Sequence, residues 1–429
     1  MKFTAAGDAI IQRRIQDGFE GFEEITPFIE RGDARFFNLE TTLHREGECY
    51  ASQFSGGTYI RTNPEMLDDL KKFGFNMTSF NNNHAMDFSY DGLLHTLNHL
   101  DNSGLVHSGV GRNMDEAAAP KYLETVNGRV ALISVNTSLE PCMMAGYQAR
   151  RMPGRPGVNG LRVEKSLYVN QEELECIKRI ADRLQINVEN EIERAAGYML
   201  PLAEDEAEFA PLRLKAGDET KMVEYINAKD LERVKKSIYE AKFQADYVIV
   251  SFHSHSIAGI DQWEVPQFLQ DFAHMCIDEG AHAIVGHGMH FLRAVEVYKE
   301  CPIFYSLGDF IIQLYSVEIA PEDFYAKYGL TSDATMHETL KTRSKDFKVG
   351  LMTKRIMFQT VIPYWEMEDG KLTKLELLPV ESKISGHKSE IGLPRIATDL
   401  EFIDHLAELS SGYGVQMKVR EDGIVECKW

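Results

Sequence analysis

The stretch Ala281–His290, AHAIVGHGMH, decides how the chain is read. Five small or apolar residues, interrupted only by His282, run into a glycine turn that presents His287 and His290 three positions apart. A strand buried in an α/β sheet reads as a short hydrophobic run, and ligands gather where such strands end in loops. Upstream, Asp246–Phe252 (DYVIVSF) is a second apolar run, and it ends in His253-Ser254-His255. Between the two, Val265, Phe268, Phe272 and Cys276 recur at helical spacing, with Gly280 as the stop. This is a βαβ unit with histidines at the ends of both strands.

Working outward, other strand ends carry the same kind of residue. Lys2–Asp8 reads as a first strand closing on Gly7-Asp8, and Phe36–Glu40 as a second closing on an acid. A helix opens at Pro64, with Leu67, Leu70 and Phe73 on one face and Gly74 ending it. Phe75–Phe80 is then a third strand, running into Asn81-Asn82-Asn83-His84-Ala85-Met86-Asp87. Such a run is poor material for regular structure and good material for ligation and hydrogen bonding. The next helix, about 89–103, carries Leu93, Leu94, Leu97 and Leu100 on one face. His95 and His99 lie four apart on it, but no acid or third ligand accompanies them, so a solvated helix flank is the simpler reading.

Tyr122–Val126, Asn127-Gly128 and Val130–Val135 form a hairpin, and Pro302–Phe310 reads as one further strand. A second hairpin is expected across Asp369-Gly370, then a helix near 398–409 and a small hairpin at Asp422-Gly423. Residues 137–244 break the rhythm and read as a mostly helical insertion or lid. Its stretch Asn187–Phe209 holds seven acids and one arginine, a pattern that fits a solvated face. Within it, Tyr147–Arg162 places Arg150, Arg151, Arg155 and Arg162 among glycines and prolines. Arginine forks there suit capture of a phosphate or carboxylate, although solvated surface charge is the plainer alternative.

Composition narrows the partners. Sixty-six acids against 46 bases give a net charge of −20, which argues against a nucleic-acid surface. The six cysteines are scattered without paired spacing, as expected of free thiols in a reducing cytoplasm. No segment reaches the roughly 18 apolar residues of a membrane span, and MKFTAAGDAII lacks the pattern of a signal peptide, so a cytoplasmic location is expected.

Collected, the strand ends supply Asp8, Glu40, Asn83, His253, His287 and His290, with His84 and Asp87 beside them. Carboxylate, amide and imidazole together suit divalent manganese, iron or zinc. Two such ions about 3.5–4 Å apart would activate water and hold the attacking and leaving oxygens of an in-line displacement. His84, oriented by Asp87, is the candidate general acid.

The order GD, NLE, NNHAMD, strand-His, GHxxH and YSLGDF resembles the CapA-type family of poly-γ-glutamate capsule biosynthesis proteins, within the calcineurin-like metallophosphoesterase superfamily. The resemblance covers about residues 2–136 and 245–312. It implies a single domain with a four-layer α/β/β/α sandwich whose core is 1–136 and 245–312, carrying the insertion 137–244 and an extension 313–429 that completes the sandwich. It further implies one metal held by Asp8, Glu40 and His290, a second held by Glu40, Asn83, His253 and His287, and catalysis by His84 with Asp87. The chain departs from the family at Ile10, where the first motif has a histidine, and over His253-Ser254-His255-Ser256-Ile257, where His-Trp-Gly-x-Glu is expected and the tryptophan and glutamate are gone. Asp309 stands where family members more often carry asparagine. Residues two apart on an extended segment share a face, so His255 is expected to substitute in part for a missing group or to contact substrate.

Three functions follow as expectations. The first is a two-metal hydrolase of a small anionic substrate such as a phosphate ester, with Arg150, Arg151, Arg155 and His255 as substrate contacts. The second is a component of poly-γ-glutamate capsule assembly, acting on a glutamate-containing chain. The third is a metal-bearing binding module without turnover.

Overall fold

Lys2–Ile10 is the strand on which the larger sheet is built, buried along nearly its whole length. The computed structural model describes residues 1–429. Ala34–Leu39 pairs with the first strand in parallel, followed outward by Met77–Ser79 and Val106–Ser108, also parallel. On the other edge lie Gln359–Glu368 and Lys371–Ser382, an antiparallel hairpin turning at Asp369-Gly370 as the sequence predicts. The terminal strands Gln416–Val419 and Val425–Lys428 extend that side, and Pro394–Ile396 adds to Lys371–Ser382.

The second large sheet contains the βαβ unit. Its order is Val295–Tyr298, Cys301–Phe304, Ala283–His287, Tyr247–His253, Gly128–Asn136, Lys121–Thr125. Tyr247–His253 and Ala283–His287 run parallel, in a register that sets His253 directly beside His287.

Residues 302–310 depart from the single strand read in the sequence. Cys301–Phe304 belongs to the second sheet, whereas Asp309–Ile312 pairs in parallel with the first strand of the larger sheet, Asp8 beside Asp309. The chain changes sheets at Gly308, whose φ of +73° is left-handed. A Cβ on neighbouring Gly7 would lie 1.8 Å from the Gly308 carbonyl oxygen, so Gly7 must lack one for the chain to pass there. Side-chain pattern does not report which partner the backbone pairs with, so a change of sheets within a mainly apolar run is not visible in it.

Burial explains the packing. Helices Glu20–Ile29, Met66–Lys71 and Ser89–Asp101 bury Ile25, Phe28, Leu67, Leu70, Leu93 and Leu97 in one cluster with Phe37, Leu39, Ile362 and Val380 of the larger sheet. Phe3 stacks on Trp365 at 5.1 Å and meets Tyr247 edge-on at 5.4 Å, joining the two sheets. Helix Gln267–Glu279 turns Phe272 onto Phe252 of the second sheet.

Residues 162–228 form a separate compact unit. It holds helices Gln171–Leu184 and Val188–Ala195 but also a four-stranded sheet ordered Glu206–Phe209, Leu212–Ala216, Val163–Val169, Lys221–Ile226. The expectation of a mostly helical insertion over 137–244 is corrected in both content and extent. The strands are short and their outward positions heavily charged, as in Val163–Val169 (VEKSLYV), so alternation is masked by acid-rich composition.

Candidate metal centre

The side chains sit at the carboxyl ends of parallel strands from both sheets. Asp8 is fully buried. Its Oδ1 accepts a hydrogen bond from Asn38 Nδ2 at 2.7 Å and its Oδ2 one from the Gly288 backbone N–H at 2.8 Å. Gly288, with φ +109°, gives the backbone that approach, and His290 follows in a left-handed conformation at φ +63°. Burial opposes ionisation of Asp8, but His287, His290 and Asn38 outweigh it and hold its carboxyl below the usual range.

Glu40 is also fully buried, and neither of its carboxylate oxygens has a hydrogen-bond partner. Its Oε1 lies 3.7 Å from His253 Nε2 and 4.0 Å from His84 Nε2. Burial, then the neighbouring Asp8, Asp309 and Asp87, push the Glu40 carboxyl well above its ordinary value. A buried carboxylate without donors is costly unless a cation compensates it.

The histidines converge on these acids. His253 Nδ1 is 2.9 Å from His287 Nδ1, and His253 Nε2 is 2.7 Å from Asn83 Oδ1 and 3.1 Å from His255 Nε2. Burial and then the charges of surrounding histidines hold His253 well below the usual imidazole range, and His255 down to about 3. Imidazoles kept neutral each present one ring nitrogen with a free lone pair, the form that ligates metal. His287 turns its Nε2 to Ser251 Oγ at 2.7 Å and its Nδ1 to Asp8 Oδ1 at 3.4 Å.

Donor atoms lie within 4.8 Å of one another in three groups: Asp8, His253 and His287; Glu40, His253 and His255; and Asp8, Glu40, His290 and Asp309. Asp8, Glu40 and His290 thus come together as the resemblance implies. His287 is grouped with Asp8 and His253, not with Glu40. Asp309 belongs to the cluster although it was not singled out as a ligand; its place at the end of an apolar run was the available signal. His290 Nδ1 lies 2.9 Å from Asp309 Oδ1, and Asp309 Oδ2 is buried without a partner. Asn38 and Ser251, which orient Asp8 and His287, gave no signal in the sequence.

His84 Nδ1 donates to Asp87 Oδ2 at 2.6 Å. Asp87 is fixed in turn by the Gly56 and Ile60 backbone N–H groups at 3.0 and 2.8 Å. The arginine loop does not join this assembly: Arg150, Arg151 and Arg155 are exposed, and none lines the cavity that reaches His84, His255 and His290. The loop closes on itself instead, Arg155 donating to the Met144 carbonyl at 3.0 Å through Nη2. The cavity's cations are Arg343 and Lys354.

Two sheets with helices and a buried acid–imidazole cluster at their strand ends define a mixed α/β protein with a candidate metal centre. Residues 2–314 match the family described as bacterial capsule synthesis protein PGA_cap, and the chain belongs to that family. It is 32% identical to the uncharacterized protein y4sH of Sinorhizobium fredii (strain NBRC 101917 / NGR234), covering 97% of this chain and 91% of that one. It is 25% identical to the PGA biosynthesis protein CapA of Bacillus subtilis (strain 168), covering 82% and 74%. A probable polyglutamine synthesis accessory protein of Mycobacterium tuberculosis (strain ATCC 25618 / H37Rv) is 23% identical, covering 92% and 77%. All six cysteines are free thiols, and no helix is long and apolar enough to cross a membrane.

Proposed function

We propose that the protein is a metal-dependent hydrolase of a small anionic ester, phosphoesterase-like in chemistry, on a four-layer α/β/β/α sandwich of the calcineurin-like metallophosphoesterase type. The observation that carries this reading is Glu40, a buried carboxylate with two partnerless oxygens, ringed by Asp8, Asp309 and the imidazoles of His253, His255 and His290. The donor set fits divalent manganese, iron or zinc, and Glu40, which falls in two of the three donor groups, would be among the residues that hold them. Asp309, beside Asp8 in the sheet, would supply the ligand that Ile10 cannot, and His255 would stand in for the altered fourth motif. Bound ions would supply Lewis acidity and bring the pKa of water toward neutrality.

The chain's own residues would handle the proton. In hydrolysis, a bond forms between water oxygen and phosphorus, the ester P–O bond breaks, and the leaving oxygen takes a proton. His84, held at Nδ1 by Asp87, turns Nε2 toward Glu40 and is the group to deliver that proton. The test is metal analysis of the purified protein together with a phosphate-ester panel. Stoichiometric metal and phosphate release lost in His84→Ala are expected; no metal, or release indifferent to His84, would overturn the reading.

A second reading is favoured by the relatives, whose names speak of capsule, PGA and polyglutamine synthesis. On it, the protein acts in capsule assembly on a glutamate-containing chain, by hydrolysis or by binding alone. Binding of γ-glutamyl oligomers without phosphate release would favour it.

A further inference from the structure

Next to the acid–imidazole cluster lies a cavity of about 450 Å³, about three times the roughly 150 Å³ that takes up benzene in an engineered protein core. His84, His255 and His290 form one side of it. The rest is mainly apolar, with Met289 and Phe291 buried in its floor and Phe347, Leu351 and Met352 arching over from the segment after helix Met336–Arg343. Ile257, Val349 and Leu351 also line it yet stay 48%, 45% and 37% exposed, apolar surface left facing open space. Although the chain carries a net charge of −20, no aspartate or glutamate lines the cavity. Its charged lining is Arg343, whose Nη1 donates to Thr58 Oγ1 at 2.6 Å, and Lys354.

The overarching segment is held by specific contacts. Lys345, Asp346 and Phe347 are consecutively left-handed, with φ of +50°, +60° and +56°, a run that L residues rarely adopt. Phe347 meets Tyr315 edge-on at 5.6 Å and His337 at 5.2 Å. This backbone path places an aromatic ring at the cavity wall.

We propose that the substrate is a phosphate monoester of an apolar alcohol, its phosphoryl group at the histidines and Arg343 and its organic group along the Met289–Phe291–Met352 wall. The proposal rests on the hydrolase reading above. Because His84 lines the cavity, the leaving alcohol is the part that occupies it, and the products are that alcohol and inorganic phosphate. A poly-γ-glutamate chain fits poorly. It carries a carboxylate at every residue, and burying those against thioether and aromatic walls with two cations would leave charges desolvated and unpaired.

The test is calorimetric titration of the metal-loaded full chain with methyl-, butyl- and octylphosphonate, beside steady-state hydrolysis of the matching alkyl phosphates. Affinity should rise about three- to fourfold per added methylene until the cavity is filled, as burial of one methylene predicts. Leu351→Glu and Met352→Glu, which place a carboxylate in the apolar wall, should flatten the rise from methyl- to octylphosphonate. A flat series in the unaltered protein, or tighter binding of a γ-glutamyl oligomer than of octylphosphonate, would overturn the proposal. The two readings fail separately: a steep binding series without hydrolysis removes the hydrolase and keeps the apolar subsite, whereas hydrolysis with a flat series does the reverse. Co-sedimentation with phosphatidate vesicles would assign the same chemistry to a lipid headgroup. Its absence alongside a steep series would assign a soluble ester.

Discussion

His84 and Asp87 form a closed pair: Nδ1 of the imidazole lies 2.6 Å from Oδ2 of the carboxylate, and two backbone N–H groups fix the carboxylate from behind. One ring nitrogen is thereby committed, and the other faces Glu40. Replacing His84 by Ala should lower kcat by about 10²- to 10⁴-fold, the usual contribution of a positioned acid or base. Asp87→Asn should cost less, about 10- to 100-fold as for partners that orient a working group. Metal content should be unchanged in both, which separates proton handling from metal loading.

Glu40→Gln and Asp309→Asn test the cluster as a cation site. Each removes a buried carboxylate, and each should reduce bound metal measured by plasma emission after dialysis, Glu40→Gln more severely because its oxygens have no other partner. In the metal-free protein Glu40→Gln should raise the urea midpoint, most clearly at high pH, since burial and the neighbouring acids already oppose ionisation of this carboxyl and the amide cannot ionise. A metal-free midpoint that falls instead would mean Glu40 is satisfied by the protein alone.

The His290–Asp309 pair sets a pH dependence. Burial would lower the His290 pKa, but the Asp309 carboxylate overcomes it and lifts the value to about 8 from 6.5. Burial, partly offset by His290, lifts Asp309 to about 6 from 3.8. Both groups bind a proton more tightly folded than unfolded. Their stabilisation is therefore complete below the unfolded values and is lost as pH rises, from about 4 to 6 for Asp309 and 6.5 to 8 for His290. Metal must displace these protons, so affinity should climb through the same upper window. Titrations at stepped pH, with His290→Asn as the control that flattens the upper limb, check this.

Asp69 anchors the amino-terminal side of the larger sheet's helical face. It is fully buried and accepts hydrogen bonds from Arg14 Nε at 2.6 Å, the Ile15 N–H at 2.9 Å and Lys72 Nζ at 3.1 Å. Asp69→Ala should cost about 1–3 kcal/mol, the range for stranding buried donors, read as a shifted urea midpoint. Activity at low temperature should survive, because no cluster residue touches Asp69.

Much of this was legible beforehand, for a physical reason. Strand ends that carry Asp8, Glu40, Asn83, His253 and His287 follow apolar runs whose meaning is local, so each is readable as a strand end, whereas their sorting into ligand sets came only from the family resemblance. Asp309 was harder, because its sheet depends on a backbone switch at Gly308, and the apolar residues on either side do not report which sheet each joins. The arginines at 150, 151 and 155 looked like an anion clamp because composition reports charge without direction. Arg343 and Lys354 were unreadable in a polar segment whose inward face is set by left-handed turns at 345–347.

The unit formed by residues 162–228 leaves and returns at one point: the Asn227 N–H donates to the Arg162 carbonyl at 2.9 Å, and Val163 pairs with Ile226. Its first and last strands are zipped antiparallel, so its two ends are held side by side. Length added or removed between Val169 and Lys221 would therefore be taken up within the unit, with the closure at Arg162 and Asn227 unchanged.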